Sequence, residues 1–344
     1  ERHWNAQLTS VLGVRHTRVS TSTAPVQGYS SLPTWADDAA AFNTGHHKRN
    51  DSHWDVTAMA SYEPAKGRRY EAGVARKTRS PSLYERYPWS TNTMAAGMNN
   101  FLGDGNGYLG NPDLKPEVAH TLSGSASWED ATDPQRWGIT ASAHVTRIHD
   151  YVDAGRCPAS QCRSGNTTAT SEFVLLRYAN QDARILGADV WGHVRLLEKG
   201  AWGRFTLNGK LSWLHGKNLD TGSGLYNTMP ANLRLGLENQ RAVAEGQLTT
   251  TLEWEGVQAK KRLSSVRNEI RTGGYALLNL RTRFERGALG IDFGIDNLLD
   301  RGYALPLGGA YVGQGSSMML NTVPWGVAVP GHGRSVYVGF NYKF

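Results

Sequence analysis

The chain has 344 residues, 19% of them charged and 10% aromatic, with 39 Gly and a formal net charge of +7. Mean hydropathy is −0.48, and no run reaches the ~18 apolar residues of a spanning helix, which excludes a helical membrane protein. Lys and Arg are scattered except at Lys260-Lys261-Arg262, which argues against nucleic acid and for a solvated surface or contact with anionic lipid headgroups.

Segments of alternating apolar and polar residues recur along the chain, as strands with one apolar and one wet face require. The chain opens without Met on residues 3–18, which already alternate, so it reads as a fragment whose N-terminal part lies elsewhere. Strands are predicted next at 52–63 and 69–79. Over 117–129, Val118, His120, Leu122, Gly124, Ala126 and Trp128 alternate with mostly hydroxyl residues. Further strands are predicted at 136–149, 172–197, 202–216, 230–240, 245–259 and 274–285. The segment 172–197 is long enough to hide a bulge near Gly187. Leu289, Ile291, Phe293 and Ile295 mark a strand at 288–297, and Val336, Val338, Phe340, Tyr342 and Phe344 one at 334–344.

These segments run to about ten residues, the length a tilted strand needs to cross a bilayer, whereas soluble strands average ~5–6. Joins near 64–68, 130–135, 198–201, 241–244 and 286–287 are short. Those at 19–51, 80–116, 150–171, 217–229, 260–273 and 298–333 are long. Short turns on one side and long loops on the other are the outer-membrane pattern. Trp128, Trp137, Tyr151, Trp202 and Trp213 stand near strand ends, where interfacial girdles belong. The fold class is therefore all-β, a transmembrane antiparallel β-barrel of about twelve strands over 1–344, set in the outer membrane of a Gram-negative bacterium. Cys157 and Cys162, the only cysteines, are read as a disulfide in a loop exposed to an oxidising compartment.

Five segments carry a family resemblance. Arg79-Ser80-Pro81-Ser82-Leu83-Tyr84-Glu85-Arg86-Tyr87 is similar to a strand-end motif of TonB-dependent receptors, and Gly110-Asn111-Pro112-Asp113-Leu114-Lys115-Pro116-Glu117 to their strand re-entry motif. Asn180 to Asp189 resembles another family segment, with Asp189 where Glu is usual. Asp296 to Tyr303 and the terminal Tyr342-Lys343-Phe344 resemble the family's last two strands. The resemblance implies the C-terminal part of a 22-stranded barrel closed by a plug, with the plug and its TonB contact outside these residues. It implies a receptor and importer of a ferric siderophore or similar metal chelate, with TonB, lipid and lipopolysaccharide as partners. A monomer without cofactor is expected.

Physically the motif residues read as turn and strand-end chemistry. No G-x-S-x-G or H-E-x-x-H is present, so no enzyme is expected. Candidate ligand contacts fall in the long loops: His46 and His47 in the first; Tyr84, Trp89, Met94, Met98 and Tyr108 in the second; Met318 and Met319 in the last. Thioethers and imidazoles suit copper, and aromatic rings suit an organic chelate. A copper importer and a passive porin are the alternatives.

Overall fold

One antiparallel sheet organises the chain in the computed structural model, which describes residues 1–98, 100–158, 162, 174–198, 200–309 and 327–344. Its strands are β1 (Arg2–His3), β2 (Leu8–Ser22), β3 (Lys48–Ala65), β4 (Arg68–Arg79), β5 (Gly107–Leu109), β6 (Glu117–Glu129), β7 (Trp137–Arg156), β8 (Leu175–Leu197), β9 (Arg204–Asn218), β10 (Asn232–Val243), β11 (Gly246–Val257), β12 (Tyr275–Arg286), β13 (Leu289–Asp296) and β14 (Ser335–Tyr342). Short helices α1 (Pro33–Asn43), α2 (Leu83–Arg86) and α3 (Thr93–Met98) lie in the first two long connections. From β2 to β14 each strand pairs with the next, except that β5 stands off the path and pairs in parallel with β8. Among the described residues the path is open, with β1–β2 at one edge and β14 at the other.

The alternation has its physical counterpart in two chemically distinct faces. Leu12, Ala58, Val74, Leu122, Val145 and Leu186 form one cross-strand row. Leu233, Leu235 and Leu237 share that face with Leu252, Trp254, Leu278 and Leu280. Leu12 is 69% exposed and Val74 55%, a costly surface in water and an ordinary one in hydrocarbon. The other face is wet: Thr121 meets Thr146 at 2.8 Å, Ser125 donates to Glu71 at 3.1 Å, and Ser212 donates to Asp189 at 2.6 Å. Compact cores are found outside the wall, where Tyr108, Leu114, Val152, Ala154, Val174, Leu176 and Tyr178 pack together.

Turn chemistry separates the two ends. Gly67 (φ 78°) and Gly287 (φ 57°) sit in two-residue turns, and Ala244 and Glu245 take φ 48° and 60° in a third. Positive φ at such turns matches the twist of the flanking strands. The opposite end carries the long connections.

Three readings are corrected. The first strand begins at Leu8 and not at residue 3, because Asn5 Oδ1 accepts the N–H groups of Gln7 and Leu8 at 2.8 Å each and turns the chain back; Arg2 then pairs with Ser10. Gly187 is in regular register with His144 and Leu214. It is glycine because a Cβ there would stand 2.1 Å from the His144 ring. The register of β8 shifts instead between Arg195 and Leu197, and that of β7 between Ile148 and Tyr151, with Asp150 at φ 54°. The inserted residue reverses the facing of everything beyond it. Tyr151, which alternation alone puts on the outer girdle, therefore points inward.

Residues Ile291, Phe293, Val338 and Phe340 share one face of the paired strands β13 and β14. Phe293→Arg should cost about 2–4 kcal/mol in this lipid-facing position. Asn341→Arg, on the wet face beside Asp292, should be tolerated. Urea unfolding in lipid vesicles measures both, and equal destabilisation would reverse the facing.

Candidate ligand-binding site

The mouth is built on the strand-end motifs. At the end of β4, Arg79 binds Glu117 at 2.7 Å and Glu85 at 2.8 Å. Ser82 caps α2, its hydroxyl accepting from Glu85 N while Glu85 accepts from Ser82 N, a reciprocal capping box. Burial alone raises the Glu85 carboxyl, but Arg79 and the Ser82 N–H outweigh it and hold its pKa below 4.5. Arg86 is buried and donates to Asp51 at 2.8 Å, Thr21 Oγ1 at 2.9 Å and Leu114 O at 3.1 Å. Gly110 allows this packing, since a Cβ there would meet Arg86 O at 2.5 Å. Glu117 also accepts Val152 N at 2.7 Å, which ties the β4–β6 rim to β7.

Beyond the wall, β7 and β8 continue as a hairpin whose facing is set by the bulge. Asn180 braces it, donating to Asp150 O at 2.7 Å and Lys115 O at 3.0 Å. The bulge turns Asp153 inward as well as Tyr151. There Asp153 accepts from Asn218 at 2.9 Å and binds the Arg267 guanidinium.

Arg267 is the hub of the mouth. It ends a 3-10 turn, Ser265–Arg267, and is 5% exposed. Its Nε donates to Tyr108 Oη at 3.0 Å, Asp104 stands 3.8 Å away, and its own carbonyl accepts from Asn106 at 2.8 Å. Burial works against the Arg267 charge, but Tyr108 and Asp153 outweigh it and raise its pKa. Nearby, Lys260 pairs with Glu269 at 2.6 Å and donates to Pro306 O at 2.8 Å. Connections 80–116, 219–231, 258–274 and 297–309 thus meet around one charged cluster. Burial, with Asp104 and Glu269, pushes the Tyr226 hydroxyl well up, so its ring enters the site as a neutral phenol.

An open cavity of ≈ 560 Å³ lies beside Arg267, lined by Arg79, Phe101, Tyr151, Tyr178 and Tyr226 among others. Its lining joins two cations, the carboxylates of Glu85 and Glu117, and four aromatic rings, a polar and aromatic surface that suits a bulky organic ligand.

The residues picked from the sequence are dispersed. Tyr84 packs against Phe101 with the rings tilted and their centroids 4.1 Å apart, beside the cavity. Tyr108 is fully buried and stacks on Tyr178 at 5.1 Å, with its hydroxyl on Asp104. His47 lies against the Phe42 ring, 4.9 Å away, and bonds its carbonyl; His46 is exposed. Trp89 is half-buried, and Met98, at the end of α3, is 76% exposed. The Met94 side chain and residues Met318 and Met319 lie outside the described residues. Cys157 and Cys162 are bridged, with Cα atoms 5.9 Å apart, and pack with Ala96 and Leu175. Among the described residues no three His, Cys, Asp or Glu gather as a metal set. Arg267, Asp153 and Tyr226 escape sequence reading: a lone Arg in a loop has no pattern, and the bulge hides Asp153.

Residues 1–298 match the family model described as TonB dependent receptor-like, beta-barrel. The fold is similar to that of the copper transporter OprC, with TM-score 0.69 and 18% identity over 99% of this chain and 45% of that one. It is similar to the FrpB iron transporter of Neisseria meningitidis, with TM-score 0.62 and 15% identity over 99% and 44%. It is also similar to BauA, the ferric preacinetobactin receptor of Acinetobacter baumannii, with TM-score 0.61 and 13% identity over 98% and 40%. The chain spans less than half the length of each. No curated protein sequence matches it.

Breaking a buried pair by removing one partner typically costs ~3–5 kcal/mol, and Arg86→Ala should destabilise the folded barrel on that order, read as a lower urea midpoint. Because the folded-state pKa of Glu85 is lowered, its contribution is full above 4.5 and is lost as pH falls below it. The midpoint difference between wild type and Glu85→Gln should therefore be constant at neutral pH and shrink in acid. A difference that persists unchanged in acid would remove Glu85 from this role.

Proposed function

The chain belongs to the TonB-dependent receptor family, and on that premise we propose that it is the C-terminal barrel portion of an outer-membrane importer for a metal chelate of the ferric siderophore kind. Residues 1–344 serve as one barrel unit within a wall of about 22 strands. Uptake is driven by TonB acting on a plug that lies outside these residues. The ligand is bound, passed inward and left chemically unchanged, so no catalytic residue is assigned.

The observation that carries this reading is the cavity at Arg267. Its volume of ≈ 560 Å³ lies within the range of about 300–1,000 Å³ that holds organic ligands, far more than a bare ion needs. Tyr151, Tyr178 and Tyr226 offer ring faces, while the guanidinium groups of Arg79 and Arg267 are balanced by Glu85, Glu117 and Asp153. A copper reading draws on the thioether of Met98, exposed at the end of α3.

Tyr226→Ala and Phe101→Ala in the full-length receptor should each weaken chelate binding roughly 10-fold or more, while Tyr226→Phe binds like wild type. Titration with a panel of ferric chelates checks this, with assembly followed by heat-modifiable migration. Unchanged chelate binding in assembled alanine variants, together with loss of Cu²⁺ uptake in Met98→Leu, would replace the chelate by copper. Uptake that never saturates would favour a porin.

A further inference from the structure

A second, smaller pocket adjoins the cavity across Tyr226, Asn227 and Arg267, which line both. Its volume is ≈ 20 Å³. About 10–15 Å³ admits one water-sized group, so this pocket takes a single functional group and not a whole ligand. Three of the long connections wall it. Connection 219–231 supplies Tyr226 and Asn227, 258–274 supplies Lys260, Arg267, Glu269 and Thr272, and 297–309 supplies Leu305 and Pro306.

The charges in the pocket are spent on each other. Its lining holds two cations, Lys260 and Arg267, and two carboxylates, Asp104 and Glu269. Lys260, 4% exposed, pairs with Glu269 at 2.6 Å. Glu269 also accepts Asn227 N at 2.9 Å and Ser264 N at 2.7 Å. Arg267 binds Asp153, and Asp104 accepts from Asn100 at 2.8 Å and Asn106 N at 3.1 Å. An ionised group entering here would be buried without a counter-charge of its own, which is costly. What the pocket keeps unspent is hydrogen-bond donors. Thr272 is 7% exposed, and its Oγ1 has no hydrogen-bond partner among the described residues. Its backbone is fixed, since Lys260 N donates to Thr272 O at 3.0 Å. Lys260 Nζ gives one N–H to Glu269 and one to Pro306 O at 2.8 Å, out of three. A buried hydroxyl with no partner is a standing cost to the fold. An oxygen that enters the pocket and accepts from it removes that cost.

We propose that this pocket is a selectivity subsite, which takes one neutral, hydrogen-bond-accepting oxygen of the ligand, a carbonyl or a hydroxyl, on the Thr272 hydroxyl. Lys260 Nζ supplies a second donor, and Leu305 and Pro306 give the group an apolar wall. The inference rests on the chelate reading and adds to it the substituent by which one chelate is told from another. A ligand with an alkyl group at this place leaves the Thr272 hydroxyl unpaired and is rejected for that reason. A ligand with a carboxylate there is rejected because Lys260 and Arg267 are already paired.

The test uses the full-length receptor, titrated with ferric tris-hydroxamates and ferric tris-catecholates. Each series is made with an acetamide end group, an isobutyl group of the same shape, or a carboxylate. Wild type should bind the acetamide form about tenfold more tightly than the other two in whichever series it takes up. Thr272→Val removes the hydroxyl at nearly constant shape and should lose that preference, while Thr272→Ser should keep it. Urea unfolding of the ligand-free receptor gives a second readout. Thr272→Val should hold or raise the midpoint, because it removes a buried group that has no partner. Wild type that binds neither series would overturn this inference and the chelate reading together. Binding that ignores the end group, or a Thr272→Val variant that keeps the preference, would overturn this inference alone. So would a lowered midpoint in ligand-free Thr272→Val, since the hydroxyl would then already be serving the fold.

Discussion

Hydrocarbon offers a peptide group nothing to bond with, and every other feature of this chain follows from that constraint. Each wall strand must find its N–H and C=O partners on its neighbours, so the chain meanders, and β2 to β14 pair in sequence order apart from β5. The pairing fixes register, and register fixes which side chains meet lipid and which meet water. Side-chain burial, the usual source of stability, has little place in a wall one sheet thick. It reappears only at the mouth, where Tyr108, Val152, Leu176 and Tyr178 make a core of the ordinary kind.

Wall and mouth are therefore different structural problems joined at the strand ends, and ion pairs do the joining. Arg79 spans Glu85 and Glu117, while Arg86 reaches Asp51 and the Leu114 carbonyl. Asn180 bonds the backbone on both sides of its own strand. These contacts hold the emerging segments at set angles, so that Asp153 from β7, Tyr108 from β5 and Arg267 from a distant loop converge. Each is separated from the next in sequence by tens of residues. The site is assembled by the rim and only then closed by its own hydrogen bonds.

The wall was legible in the sequence because its rule has period two and acts on every residue. Leu289 to Ile295 obey it throughout and Val118 to Trp128 apart from Ala119 and His120, and their strands were found within a residue or two. The rule failed where something local overrode it. Asn5 captured two N–H groups and delayed β2, and the extra residue at Asp150 reversed the facing of Tyr151. The mouth was less legible, since its residues answer to tertiary contact and not to spacing. His47 and Tyr108 looked like ligands by type, yet His47 packs on Phe42 and Tyr108 lies inside a core. The motifs were found by resemblance, and the physical reason for them, bracing the rim, became visible only in the contacts of Arg86, Asn180 and Gly110.

The bulge at Asp150 has a consequence for how such a protein can change over generations. Below it, odd-numbered positions of β7 such as Val145 face outward; above it, odd-numbered positions such as Asp153 face inward and meet Arg267. One continuous strand is thus divided into two stretches under unrelated packing demands, with a single inserted residue as the boundary. Deleting that one residue would exchange the two audiences at a stroke, turning Asp153 toward the outside without altering any other letter of the chain.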